Sequence, residues 1–156
     1  MKATFRIRGL SELERALSEL PKATGKNVLR RVLRKAAEPM ARGMQAMAPI
    51  DEGHLVRSIG VGTRLTRRQA AQHKKMFRDD RAAVEMFVGA GGLVQAITQE
   101  FGTVDHPPQP FARPAWDANK RPVLDSISTD LEKEIMSVAK RLAKKQARLA
   151  AKAAKG

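Results

Sequence analysis

A proline-rich stretch between residues 107 and 114 constrains the fold more than any other part of the sequence. Four of the eight prolines in the chain fall within these eight positions. Each proline removes a backbone N–H donor and fixes φ, so this stretch cannot be the interior of a helix or a central strand. Apolar periodicity resumes on both sides, which predicts a stiff connector inside one domain rather than a linker between two.

The connector contains Phe111 and is followed by Trp116, the only tryptophan of the chain. A stiff loop loses little conformational entropy when it docks, so these aromatic residues suit a contact surface. Buried aromatic residues are common, however, and the alternative is an internal strut whose aromatic rings fill the core. The sequence leaves both interpretations open.

The length and composition indicate a single globular domain. The chain has 156 residues, of which 42% are hydrophobic, and it has no cysteine, which excludes disulfides and thiolate metal sites. Residues 1–8 carry charges where an export signal needs an apolar segment, and the uncharged stretch 86–99 is too short to span a bilayer. We therefore expect a soluble protein, intracellular when made, with no membrane partner.

The chain is strongly basic, with a net charge of +14. Three blocks, 22–42, 64–81 and 140–156, together hold 21 of the 30 Lys and Arg residues. Such an excess favours polyanionic partners, namely nucleic acid, an acidic protein surface or anionic lipid. The alternative is that these charges only solvate exposed helix faces.

Apolar periodicity predicts helices and short strands in mixed order. The expected elements are a strand over 2–8, a helix from about 11 to 20, a helix over 24–47, strands near 59–65 and 82–88, a helix over 93–100, and a helix from 115 to about 142. Pro39 should kink the second helix, and Pro122 should kink or restart the last one.

The basic segment 66–81 is expected to be a long excursion between the two inner strands. Residues 1–143 are expected to form one domain that includes this excursion. Residues 144–156 are almost wholly Ala, Lys and Arg, so we expect a basic tail that is frayed or ordered by a partner.

No arrangement typical of catalysis or of cofactor binding is visible in the sequence. His54, His73 and His106 are far apart and lack the spacing of metal ligands. A Gly89-x-Gly91 turn lacks the third glycine of a dinucleotide fingerprint, since Val94 stands in its place. We predict that the protein is not an enzyme and needs no metal or other cofactor.

Two motifs carry a family resemblance. The segment from Pro49 to Ile59 reads PIDEGHLVRSI, and residues 100–103 and 108–115 read EFGT and PQPFARPA. In this order they resemble the two signatures of the tail-completion, or head–tail joining, proteins of long-tailed bacteriophages. Glu52 departs from the usual threonine of the first signature, and Val94 lies near the place of an aromatic residue that commonly precedes the second.

The resemblance implies an α+β fold, in which a small antiparallel sheet is packed by a long N-terminal amphipathic helix and a long C-terminal helix. It implies a structural virion protein that forms a ring, with a hexamer as its stoichiometry, at the head-proximal end of the tail and docks to the head connector. The implied partners are copies of itself, the tail tube protein and the head-completion or connector protein, with assembly in the host cytoplasm. Weak non-specific DNA contact is a further expectation, from the charge.

The two motifs supply the candidate site residues. The expected assembly residues are Gly102, Thr103, Gln109, Pro110, Phe111 and Arg113. The expected structural residues of the first motif are Pro49, Asp51, Gly53, Leu55, Ser58 and Ile59. The main alternative function is that of a small basic nucleic-acid-binding protein, which the charge supports and the scarcity of stacking aromatic residues opposes.

Overall fold

The computed structural model describes residues 10–77 and 84–153, with the side chain of residue 10 excepted. The elements in chain order are α1 (Leu10–Ser18), α2 (Lys22–Met47), α3 (His54–Ser58), β1 (Gly60–Gly62), α4 (Arg67–Met76), β2 (Phe87–Gly89), α5 (Val94–Phe101) and α6 (Ala112–Ala153). The strand expected over 2–8 lies outside the described residues. The predicted α+β class, with two long helices packed around a small antiparallel sheet, is confirmed.

Helices α2 and α6 pack against each other along two core clusters. In one cluster, Val28 and Val32 near the start of α2 meet Leu131 and Ile135 from the middle of α6. The other cluster joins the end of α2 to the start of α6, and its buried members are Met40, Ala41, Met44, Ala48, Leu55, Ile59, Ala90, Phe111 and Ala115. The two helices therefore run antiparallel.

The sheet is shorter than the sequence pattern predicts. Strands β1 and β2 pair in antiparallel register, with Val61 opposite Val88 and glycines Gly60 and Gly89 opposite each other. Among the described residues each strand has only three residues, and positions 82 and 83 of the expected second strand lie outside them. Glycine is unfavourable in strands because it has no side chain to pack, which accounts for the short pairing.

The basic excursion contains a helix that the sequence analysis did not predict. Helix α4 begins after Thr66, whose side chain forms a reciprocal capping box with Gln69. None of its residues is buried, so it has no apolar stripe to indicate a helix. Local capping and helix propensity, rather than burial, account for this element.

The last helix is longer and more continuous than expected. It begins at Ala112, three residues before the predicted start, and runs through Pro122 without a break to Ala153. A restart at Pro122 is therefore wrong, and the tail expected to be frayed is helical as far as Ala153. No helix among the described residues is both long enough and apolar enough to cross a membrane.

Candidate assembly surface

A buried carboxylate joins the end of α5 to the start of α6. Glu100 is only 5% exposed. Its Oε2 accepts hydrogen bonds from the N–H groups of Phe111 and Ala112, both at 2.8 Å. Its Oε1 accepts from the N–H of Arg113 at 3.1 Å and from the Arg113 Nε at 2.8 Å. Glu100 thus serves three N–H groups at the start of α6, which have no partner within the helix.

The charge state of Glu100 follows from these contacts. Burial acts to raise the pKa of this carboxyl, but hydrogen bonds from the Ala112 N–H, the Arg113 side chain and two further backbone N–H groups act to lower it, and the net pKa is lowered. The group is therefore ionised at neutral pH. A negative charge at this position also interacts favourably with the dipole of α6.

Gly102 forms the sharp turn after α5. Its φ of 77° and ψ of −180° lie in a region open almost only to glycine. A Cβ atom here would lie 2.8 Å from the carbonyl oxygen of His106 and 2.9 Å from the nitrogen of Pro108. The turn brings the following segment, residues 102–110 (the proline loop), back against itself.

Backbone hydrogen bonds close the proline loop. The Thr103 N–H donates to the carbonyl of His106 at 2.8 Å, and the Gln109 N–H donates to the carbonyl of Gln99 at 2.7 Å. All residues after Gly102 in this loop are exposed, and Val104 is fully so. The loop is thus held at both ends while its side chains face solvent.

Helix α5 exposes its apolar side. Val94, Ile97 and Phe101 are 67%, 54% and 64% exposed, and their spacing of three and four residues puts them on one face, the apolar stripe. Glu100 flanks this face, about 60° around the helix from Ile97, and is buried against the start of α6. The exposure of the stripe inverts the usual order, in which a surface helix turns its apolar face to the core.

The apolar stripe borders a groove of about 450 Å³. The opposite wall is formed by Gln69 and Gln72 of α4, and the floor by the glycine turn between β2 and α5 and by Ala112. Gln69 donates to the carbonyl of Gly91 at 2.6 Å, which attaches the unpredicted helix α4 to this turn.

The two aromatic residues of the connector have different environments. Phe111 is 2% exposed and belongs to the core cluster at the start of α6, as a strut would. Trp116, one turn further along α6, is 55% exposed and available for contact. The burial of Phe111 fits the strut interpretation, whereas the contact interpretation stays a prediction for the exposed residues.

The first motif forms the short helix α3 and supports the same region. Gly53 precedes α3 with a φ of 73°, which favours glycine. Leu55 and Ile59 are buried in the core, as expected, and the Ser58 hydroxyl donates to the Leu55 carbonyl at 2.7 Å. No side chain caps α3.

Pro49 and Asp51 border a small cleft that is closed on its other side by Gln95 and Gln99 of α5. Asp51 is exposed and Pro49 is half-buried. The first motif and helix α5, whose end belongs to the second motif, therefore border the same cleft.

The expected assembly residues lie in two environments, the proline loop and the packed start of α6. Gly102, Thr103, Gln109 and Pro110 lie on the proline loop. Phe111 lies in the core, and Arg113 is held by Glu100, with its guanidinium 4.9 Å from the centre of the Phe101 ring.

Neither Glu100 nor the apolar stripe was expected to be part of the site. Glu100 opens the second motif, and that position was the available signal. The orientation of α5 had no signal in the sequence, since an apolar face is normally predicted to be buried.

Within the described residues, no group of three or more His, Asp or Glu side chains could hold a metal ion. Three polar residues that line the groove, Thr66, Gln69 and Glu100, are engaged in helix caps and turns. An exposed apolar face beside a loop held by backbone hydrogen bonds is typical of the class of proteins that bind other proteins.

A comparison with protein families places the chain within this class. The model described as "Bacteriophage HK97-gp10, putative tail-component" matches residues 11–102. The match covers more than half of the chain, and the protein belongs to this HK97-gp10-like family of phage tail components. The family is structural, and the protein is not an enzyme. No curated protein and no solved structure gave a match to the chain.

The family match agrees with the resemblance found in the sequence. It covers the whole first motif and the second motif as far as Gly102. The proline loop beyond Gly102 and all of α6 lie outside it.

Proposed function

We propose that the protein is a tail-completion or head–tail joining protein of a long-tailed phage. In this proposal it forms a ring at the head-proximal end of the tail and docks there to the head connector. Six copies are the stoichiometry that the sequence resemblance implies. Its partners are its own copies, the tail tube protein and the connector, and its final location is the virion after assembly in the host cytoplasm.

The inverted orientation of α5 carries this proposal. Burying one large aliphatic or aromatic side chain contributes about 1.5–3 kcal/mol, so leaving three of them in water on one face forgoes a substantial gain in the monomer. The gain is recovered if another protein covers the stripe. A tail component acts only within an assembly, so a covered surface of this kind fits its role.

The proline loop adds a second contact element next to the stripe. Its prolines and its two closing hydrogen bonds hold the loop in one conformation before any partner arrives, which reduces the entropy lost on docking. We propose Thr103, Gln109 and Pro110 as contact residues, and Gly102, Phe111 and Arg113 as residues that hold the loop in place.

The proposed division of the chain into a domain and a tail follows from the positions of these contact surfaces. Residues 1–143 are proposed to form the single assembling domain, with the excursion 66–81 contributing one wall of the groove. Residues 144–156 are proposed to act as a separate basic tail.

Complementation of a phage that lacks this gene tests the proposal. A Val94→Asp, Ile97→Asp variant places two charges on the stripe, and we expect DNA-filled heads and separate tails that fail to join. The matched control is Leu124→Asp, because Leu124 is 55% exposed and lies on α6 about 18 Å along the helix from Ala112. The control should give normal yields of infectious particles.

Circular dichroism and thermal melting should show that both variants fold, since surface substitutions usually cost within about 0.5 kcal/mol. Normal joining by the folded stripe variant would contradict the proposal.

The loop is tested separately by a Val104→Asp, Gln109→Ala variant, which leaves the Glu100–Arg113 pair intact. We expect the same accumulation of unjoined heads and tails. Joined particles at the normal yield would mean that the loop is a strut and not a contact surface.

A further inference from the structure

We propose that the C-terminal part of α6, residues 143–153 (the basic arm), binds the phosphate backbone of duplex DNA. The last buried side chain of α6 is Val138, and Leu142 is the last that packs against the core. Every residue from 143 to 153 is exposed. The arm therefore extends beyond the packed part of the molecule.

The cations of the arm, together with Arg141 just before it, are concentrated on one side of the helix. At 100° per residue, Arg141, Lys144, Lys145, Arg148 and Lys152 fall within an arc of about 100° and span about 16 Å of helix axis. A helix with this stripe presents several cations at once to a row of phosphates. The chain has no acidic residue after Glu134, so none lies on the arm to neutralise the stripe.

These cations are free to meet a partner. Arg141 donates to the Ser137 hydroxyl at 3.0 Å. Within the described residues, Lys144, Lys145, Arg148 and Lys152 form no ion pair. The first basic block differs, because there Arg31 and Lys35 pair with Glu134 and Asp130.

The chemistry of the arm selects a polyanion, and among polyanions duplex DNA. Apart from Leu149, the uncharged residues are alanine and glutamine, which offer little apolar area for a protein interface. The arm has no aromatic side chain on which single-stranded bases could stack. Contact with duplex phosphates needs only correctly spaced cations, and it is independent of base sequence.

This inference rests on the proposed function for the source of the DNA, because a ring at the head–tail junction surrounds the path of the genome. The binding itself can be measured on the isolated chain. A failure of DNA binding is therefore distinguishable from a failure of head–tail joining in the complementation assay.

Two charge-matched variants test the arm. The arm variant is Lys144→Gln, Lys145→Gln, Arg148→Gln, Lys152→Gln. The control, Arg67→Gln, Arg68→Gln, Lys74→Gln, Lys75→Gln, removes the same four charges from α4, where all four side chains are likewise exposed. Glutamine keeps a high helix propensity, and circular dichroism should confirm unchanged helix content.

Fluorescence anisotropy with labelled duplexes of two unrelated sequences gives the readout. Wild-type protein should bind both alike, with log K falling linearly with log salt between about 50 and about 200 mM. The arm variant should lose affinity by about tenfold or more, and the slope should fall by up to about 3.6, or 0.9 for each cation removed. The α4 control should change much less.

Equal losses in the two variants would overturn the proposal, since only the total charge would then matter. Wild-type affinity in the arm variant would overturn it too. If the wild-type chain bound polyglutamate at low salt but not the duplexes, the arm would recognise an acidic protein surface and the proposal would be wrong.

Discussion

At the residue scale, Glu100 caps the start of α6, although it belongs to α5. Its carboxylate receives three backbone N–H groups at the start of α6 and the side chain of Arg113. Charge-assisted hydrogen bonds of this kind are about twice as strong as neutral ones. The orientation of α5 relative to α6 thus depends on one buried ionised group.

Removing that group should destabilise the protein. In Glu100→Ala, buried N–H groups at the start of α6 lose their acceptor, and we expect a loss of roughly 2–4 kcal/mol in the free energy of unfolding. Urea denaturation measures it. Glu38→Ala, on the exposed side of α2, is the control and should change stability by less than about 0.5 kcal/mol. Equal effects in the two variants would contradict the role given to Glu100.

The lowered pKa of Glu100 predicts a direction for the pH dependence. A lowered carboxyl pKa contributes stability that is complete above the ordinary glutamate value of about 4.3 and is lost as the pH falls through the folded-state value. Thermal unfolding should therefore show a steeper loss below about pH 4.3 in the wild type than in Glu100→Gln. Parallel curves for the two proteins over this range would count against the assignment.

The turn at Gly102 gives a further test at the residue scale. Gly102→Ala places a Cβ against backbone atoms of His106 and Pro108 in a strained conformation, and it should cost about 1–3 kcal/mol. Gly60→Ala is the control, because nothing lies within 4 Å of its added Cβ. Urea denaturation again compares the two. A Gly102→Ala protein as stable as the Gly60→Ala protein would contradict the described turn.

At the element scale, periodicity predicted the elements that bury an apolar stripe. Helix α2 was expected over 24–47, because Val28, Val32 and Met40 recur at helical spacing, and the structure buries all three. The helix begins two residues earlier than expected. Helix α4 was missed because it buries nothing. Within the described residues, the predicted strands are longer than the observed ones because the pairing ends at glycines. The point at which pairing ends depends on the partner strand rather than on the local sequence pattern.

The site was predictable only where local chemistry determines it. The density of prolines predicted a stiff loop but left open whether it is exposed. Gly53 and Gly102, one from each motif, both have positive φ. The outward face of α5 depends on the burial of Glu100 under the start of α6. A contact between residues 100 and 113 does not affect the periodicity of the sequence. The exposure of the apolar stripe therefore could not be predicted from that periodicity.

The basic arm of α6 and the packed part before it should contribute very differently to the free energy of unfolding. Deleting residues 143–156 removes only exposed side chains among those described, so the free energy of unfolding should change by less than about 1 kcal/mol. Ile135→Ala, in the packed part of α6, should lower the free energy of unfolding by about 2–5 kcal/mol. Urea denaturation compares both with the wild type. A truncation as costly as Ile135→Ala would mean that the arm packs against the body.

At the scale of the whole molecule, α6 separates two kinds of surface. Its 42 residues correspond to about 60 Å of helix. The proline loop and the apolar stripe lie at its first end and the basic arm at its last. One end of the molecule is thus suited to protein contacts, and the other to a polyanion.

The proposed position of this tail component, at the head-proximal end of the tail, can be located in the virion. The measurement is immunogold electron microscopy of phage rescued by an epitope-tagged copy of the chain that restores normal infectivity. We expect gold at the head–tail junction of joined particles and at one end of tails that have not joined heads. Gold distributed along the tube, or confined to the tip distal from the head, would contradict it.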